Sequence, residues 1–129
     1  MQQLYGPDLP QPLDLSWIMQ RVRRCEQRIW ATAREVARCG GQVVLDLGFM
    51  KVASRSEFVG LAQACALPVQ LHFIDAPQEL RKQRVLARNT EQGATFSFEV
   101  TPAMFDIMER EFQRPTDDEL ATATVVHTH

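Results

Sequence analysis

Apolar residues Ile18, Val22, Cys25, Ile29 and Val36 recur at steps of four, three, four and seven, the spacing of one helical face. Asp14 is placed to cap that helix and Gly40-Gly41 to stop it near Cys39. Val43 to Leu47 is a continuous apolar run with β-branched residues, and predicts a strand buried on both faces. Ser54 and Glu57 have capping-box spacing and predict a second helix over Arg55 to Ala66, broken by Leu67-Pro68. Val69 to Ile74 predicts another strand. Asp75-Ala76-Pro77 reads as a cap with proline in the first turn of a third helix reaching Asn89. Thr90 to Val100 is polar and glycine-containing, a loop with a short extended piece at Phe96, Phe98 and Val100. Thr101-Pro102 opens a fourth helix to Gln113, with Phe105, Met108 and Phe112 at core spacing. Asp117 to Glu119 follows as an acidic loop and Ala123 to His127 as a last strand.

Strands separated by helices predict an α/β fold whose parallel strands are joined by right-handed crossovers. Ligands in such folds sit at the carboxyl ends of the strands, so Asp46 and Asp75 are the acids to weigh. Composition changes little in this picture. The chain has 129 residues, 45% hydrophobic and 23% charged, which suits one ordinary globular domain over 1–129. Its net charge of -2 gives no bulk attraction to nucleic acid or anionic membrane. The Pro-rich start lacks the features of a secretory signal, and the cytoplasm is the expected location. Cys25, Cys39 and Cys65 form no Cys-x-x-Cys pair and read as reduced packing residues, while His127 and His129 read as a frayed end without a third ligand nearby.

Three groups carry candidate chemistry. Asp46, at the end of its predicted strand, either holds Mg²⁺ directly or through water, or caps the following turn. Asp75 is explained by capping. Arg81, Arg84 and Arg88 fall at i, i+3 and i+7 on the third helix, one side of it, and read either as a solvated face or as a phosphate clamp. Arg21, Arg24 and Arg28 make a similar stripe on the first helix, read as solvated. The chain has no Gly-x-Ser-x-Gly, His-Glu-x-x-His or Gly-x-Gly-x-x-Gly, and no phosphate-cradling Gly-x-x-x-x-Gly-Lys-Ser/Thr.

Val43-Val44-Leu45-Asp46-Leu47-Gly48-Phe49, Leu71-His72-Phe73-Ile74-Asp75-Ala76-Pro77, Arg84, Ala87-Arg88-Asn89, Val100 to Phe105, Phe112 and Pro115 occur in an order that resembles the bacterial AAA-type ATP-binding proteins. Within these, the set is similar to the zeta-toxin and chloramphenicol-phosphotransferase-like P-loop kinases. The resemblance implies a three-layer P-loop NTPase-like parallel sheet with helices on both faces, ATP and Mg²⁺ as cofactors, and phosphoryl transfer to a small molecule or nucleotide. It implies Asp46 as the magnesium-side acid, Arg84 and Arg88, with Arg81 and Asn89 beside them, as nucleotide-binding, and 89–100 as a lid that closes over ATP. Gly6-Pro7 and the long helix correspond to the acceptor-recognition region. The opening strand, Gly-rich loop and acidic base of that family have no counterpart here. The expectation is an N-terminally truncated chain, short of roughly forty residues on the usual size of a βαβ opening, and inactive alone with no catalytic residue assigned. Two readings follow: the C-terminal part of such a kinase, or a non-catalytic module that binds a partner, or a second copy, through exposed sheet edges.

Overall fold

The computed structural model describes residues 14–94, 96 and 98–129. Two compact units divide the chain, Met1–Leu47 and Gly48–His129. In the first, helix α1 (Leu15–Arg38) starts where Asp14 accepts the Trp17 N–H at 3.1 Å. It ends where the Gly41 N–H reaches back to the Val36 carbonyl and Gly40 takes φ +87°, a left-handed turn that glycine adopts without strain. Cys25 and Ala33 are buried on its apolar face.

The second unit holds, in order, α2 (Val52–Ala64), β1 (His72–Asp75), α3 (Gln78–Glu91), α4 (Pro102–Glu111), α5 (Asp117–Leu120) and β2 (Thr124–His127). β1 and β2 pair in parallel, His72 with Thr124 through Asp75 with His127. α3 and α4 are joined by two ion pairs, Arg81 with Glu109 and Lys82 with Asp106. Thr101 caps α4 by accepting the Met104 N–H, and Phe105 is buried beneath the Lys82 ammonium.

Arg55 lies at the centre of this unit with only 6% of its surface exposed. Its Nε donates to Glu119 Oε2 at 2.7 Å and its Nη2 to Oε1 at 3.2 Å. Nη1 donates to the Phe49 carbonyl at 2.8 Å and Nη2 also to the Arg114 carbonyl at 3.4 Å. Glu119 in turn accepts the Thr116 N–H while the Thr116 hydroxyl accepts the Glu119 N–H, a capping box that starts α5. One guanidinium thus ties α2 to two loops and a one-turn helix.

Several expected elements differ. Val43 to Leu47 is not a strand: it has no ladder hydrogen bond among the described residues, and Val44 is 90% exposed. An apolar run becomes a strand only where another strand meets its N–H and C=O groups, and none does so there. The expected three-layer sheet with helices on both faces is therefore a two-stranded parallel sheet among the described residues. α2 begins at Val52, ahead of the Ser54–Glu57 spacing, because Gln113 Oε1 accepts the Val52 N–H at 2.9 Å and supplies the cap from a distant loop. Asp75 does not cap α3, whose N-cap is Pro77. The acidic loop at Asp117 is helical, and His127 is in a strand rather than a frayed end. The extended piece expected around Phe96 is not a strand at the described positions, and Thr95 and Ser97 lie outside them.

Because removing one partner of a buried ion pair leaves an uncompensated charge, Arg55→Ala should destabilise the second unit by about 3 kcal/mol. Urea unfolding followed by circular dichroism checks this. Replacing both Arg55 and Glu119 by leucine should cost less than Arg55→Ala alone.

Candidate phosphate-binding site

The parallel register brings Asp75 and His127 side by side at the carboxyl ends of β1 and β2. Strand continuity is extended by one bond, from the Thr128 N–H to the Asp75 carbonyl at 2.8 Å. Arg114 reaches this end from the loop after α4: its Nη2 donates to Asp75 Oδ2 at 2.7 Å and its Nη1 to Oδ1 at 3.4 Å, while the guanidinium lies 5.2 Å from the Phe73 ring centroid. His127 Nδ1 is 3.9 Å from Asp75 Oδ2. The Arg114 hydrogen bond, chiefly, holds the Asp75 carboxyl below its ordinary range against the opposing effect of burial. The same contact raises Arg114.

The arginines of α3 have different fates. Arg81 is committed inside the unit: it grips Glu109 through both terminal nitrogens, at 2.6 and 2.7 Å, and its Nε donates to the Ala76 carbonyl. That grip lowers Glu109 and raises Arg81. Arg84 is exposed at the strand ends, with Nη1 3.4 Å from Thr128 Oγ1 and Nη2 3.2 Å from the His129 carbonyl. Arg88 is exposed with no hydrogen bond or ion pair to its side chain among the described residues. Asn89 is engaged by backbone: its Nδ2 donates to the Val100 carbonyl at 2.7 Å and its Oδ1 accepts the Val100 N–H at 2.9 Å. The side chain therefore clasps the two ends of the 89–100 loop. Asp46 is exposed in the first unit, in neither a helix nor a strand, and none of the turn or loop amides among the described residues bonds to it.

Arg114 does not stand out in the sequence, because its partner is 39 residues away and no local spacing connects them. His127 reads in the sequence as the end of a strand or as part of a frayed end, and its place beside Asp75 follows only from the parallel register.

Guanidinium groups at the carboxyl ends of parallel strands are the arrangement by which α/β proteins meet phosphorylated ligands. The profile of the AAA domain family matches residues 1–115, and the chain belongs to that family of P-loop NTPase and kinase-like, nucleotide-binding proteins. No curated protein and no solved structure matches it. The family generally binds ATP and Mg²⁺. Arg84 and Arg88 fit phosphate oxygens. Asp46 fits only the mode in which Mg²⁺ takes one carboxylate and otherwise waters and phosphate, since no three His, Cys, Asp or Glu side chains gather among the described residues. No helix among the described residues is long and apolar enough to cross a membrane.

Asp75, Glu109 and Glu119 are all held low, in each case first by an arginine hydrogen bond. A carboxylate lowered on folding stabilises the fold above its unfolded value and loses that contribution as pH falls through the folded one. Unfolding midpoints in urea should therefore be flat above about pH 5 and fall as pH drops below the ordinary values of 4.5 for Glu and 3.8 for Asp. Glu109→Gln should flatten part of that slope.

Proposed function

We propose that this chain supplies the arginine side of the nucleotide site in an ATP-dependent kinase-like protein of the zeta-toxin and chloramphenicol-phosphotransferase-like kind, acting on a small molecule or nucleotide in the cytoplasm. The observation that carries this reading is the pair Arg84 and Arg88, about one turn apart on α3: Arg84 is weakly held at the strand ends, and Arg88 is exposed without a side-chain hydrogen bond among the described residues. Arg81, one turn earlier, is consumed by Glu109. Arg84 and Arg88 hold phosphate oxygens by paired charged hydrogen bonds, and Asn89 fixes the base of the loop that follows them. Bound ATP supplies the phosphoryl group. The sequence contains no Gly-rich loop with its lysine to cradle the β- and γ-phosphates, so this chain by itself binds without transferring.

Calorimetric titration with Mg²⁺-ATP tests it. The chain should bind with a Kd near the millimolar range, about -4 kcal/mol, and show no turnover. Arg84→Ala and Arg88→Ala should each weaken binding by roughly tenfold, the scale of one charged hydrogen bond. Micromolar binding by the unaltered chain would overturn its assignment as inactive, and unchanged affinity in both variants would remove the arginines from the site.

A second reading, a module that binds through its sheet edges, is favoured by β1 and β2 each having a partner on one side only among the described residues, with Ile74, Val125 and Val126 exposed. Open edges template pairing with another strand. Under this reading the chain self-associates with rising concentration in sedimentation experiments, and Val125→Thr or Val126→Thr weakens the association. A monomer at all concentrations excludes self-pairing.

A further inference from the structure

We propose that Arg114 is a second phosphate-binding guanidinium at the strand ends, beside Arg84, held in reserve by Asp75 and transferred to the triphosphate chain of an incoming nucleotide. This rests on the nucleotide-site reading above. Asp75 is anchored: it ends β1, its side chain is 19% exposed, and its carbonyl is bonded to Thr128. Arg114 is the movable partner, with its side chain 61% exposed. An ion pair so open to water is weak, and an anion carrying several charges competes for it. The planar guanidinium fork suits phosphate oxygens as well as it suits a carboxylate.

The backbone beneath Arg114 is fixed independently of its side chain. Its own carbonyl accepts from Arg55, and the adjacent Gln113 is bound twice, by its N–H to the Met50 carbonyl at 2.7 Å and by its side chain to the Val52 N–H. The side chain can therefore leave Asp75 while the loop stays in place. Asp75 keeps a neighbour when it does so, because His127 Nδ1 remains 3.9 Å from its carboxylate. The contrast with Arg81 defines the role. Arg81 is more shielded and doubly bound to Glu109, so it stays put, whereas Arg114 has one short and one long bond. Among the groups facing this end, Glu109 neutralises Arg81 and Asp75 is balanced by Arg114. Arg84, joined through Thr128, is the positive charge left over. Release of Arg114 adds a second positive fork where the ligand's charge arrives.

Calorimetric titration of the full chain with inorganic tripolyphosphate and with ATP, at fixed salt, tests the transfer through a double-mutant cycle. Asp75→Asn should tighten tripolyphosphate binding about threefold, the scale of an exposed ion pair, and Arg114→Ala should weaken it. In the Asp75→Asn, Arg114→Ala double variant the gain should vanish. Arg114→Lys, which keeps charge but loses the fork, should fall between. A gain that persists in the double variant would show charge removal alone, and no gain, or no binding by any form, would equally overturn the proposal. Equal affinity for ATP and tripolyphosphate would overturn its nucleotide part. If the cycle holds while Arg84→Ala and Arg88→Ala leave ATP binding unchanged, the nucleotide-site reading fails and the Arg114 transfer stands. Thermal melts of each variant establish that it is folded.

Discussion

The second unit depends on the buried guanidinium of Arg55. A charge so enclosed survives only if its donors are met, and here one carboxylate and two backbone carbonyls meet them. Because those acceptors come from Phe49, Arg114 and Glu119, satisfying one side chain fixes the start of α2, the loop after α4 and the single turn of α5 together. The hydrophobic core is modest, with Ala62 and Phe105 the buried apolar residues of this unit among those described. Directional bonds therefore carry much of the specification that a larger apolar core carries in other domains of this size.

These arginines of the second unit sort by how firmly they are held, and that ordering separates scaffold from the proposed site. Arg55 is buried and makes four hydrogen bonds, and Arg81 is half-buried and locked to Glu109. Arg114 is paired but open to water, Arg84 is held by two long bonds, and Arg88 is unheld among the described residues. Phosphate recognition needs donors that can turn toward a ligand without first breaking the fold, and only the last three meet that condition. Sequence spacing alone gives Arg81, Arg84 and Arg88 the same weight.

Features set by short-range chemistry were legible in the sequence. Asp14 and Gly40 bound α1, Thr101-Pro102 opens α4, and the Val125-Val126 run pairs as a strand, each for reasons contained within a few residues. Thr116 and Glu119 carry the spacing of a capping box as well, but the run of acids reads as a loop and α5 is missed in the sequence. The remainder depends on partners far along the chain. Gln113 moves the start of α2, Arg114 draws Asp75 away from capping, and Val43 to Leu47 has the composition of a strand without, among the described residues, the neighbour that would make it one. Of the candidate site, the α3 stripe was visible as a pattern, whereas its division into locked and free members required Glu109, 28 residues from Arg81. Asn89 belongs to the Ala87-Arg88-Asn89 triplet whose resemblance implies a nucleotide-binding role, and its amide bonds to the Val100 backbone.

That clasp makes the segment between Asn89 and Val100 a closed ring, joined at its base by two hydrogen bonds rather than by a covalent link. Ring-closure entropy rises only with the logarithm of length, at about 0.6 kcal/mol for each doubling. Residues added to or removed from the ring would therefore change its size at little cost to the fold, while Arg88, immediately before the junction, keeps its position. The ring and the exposed arginines that precede it are in this sense separable parts: one is free to vary in size and sequence, the other is set by α3.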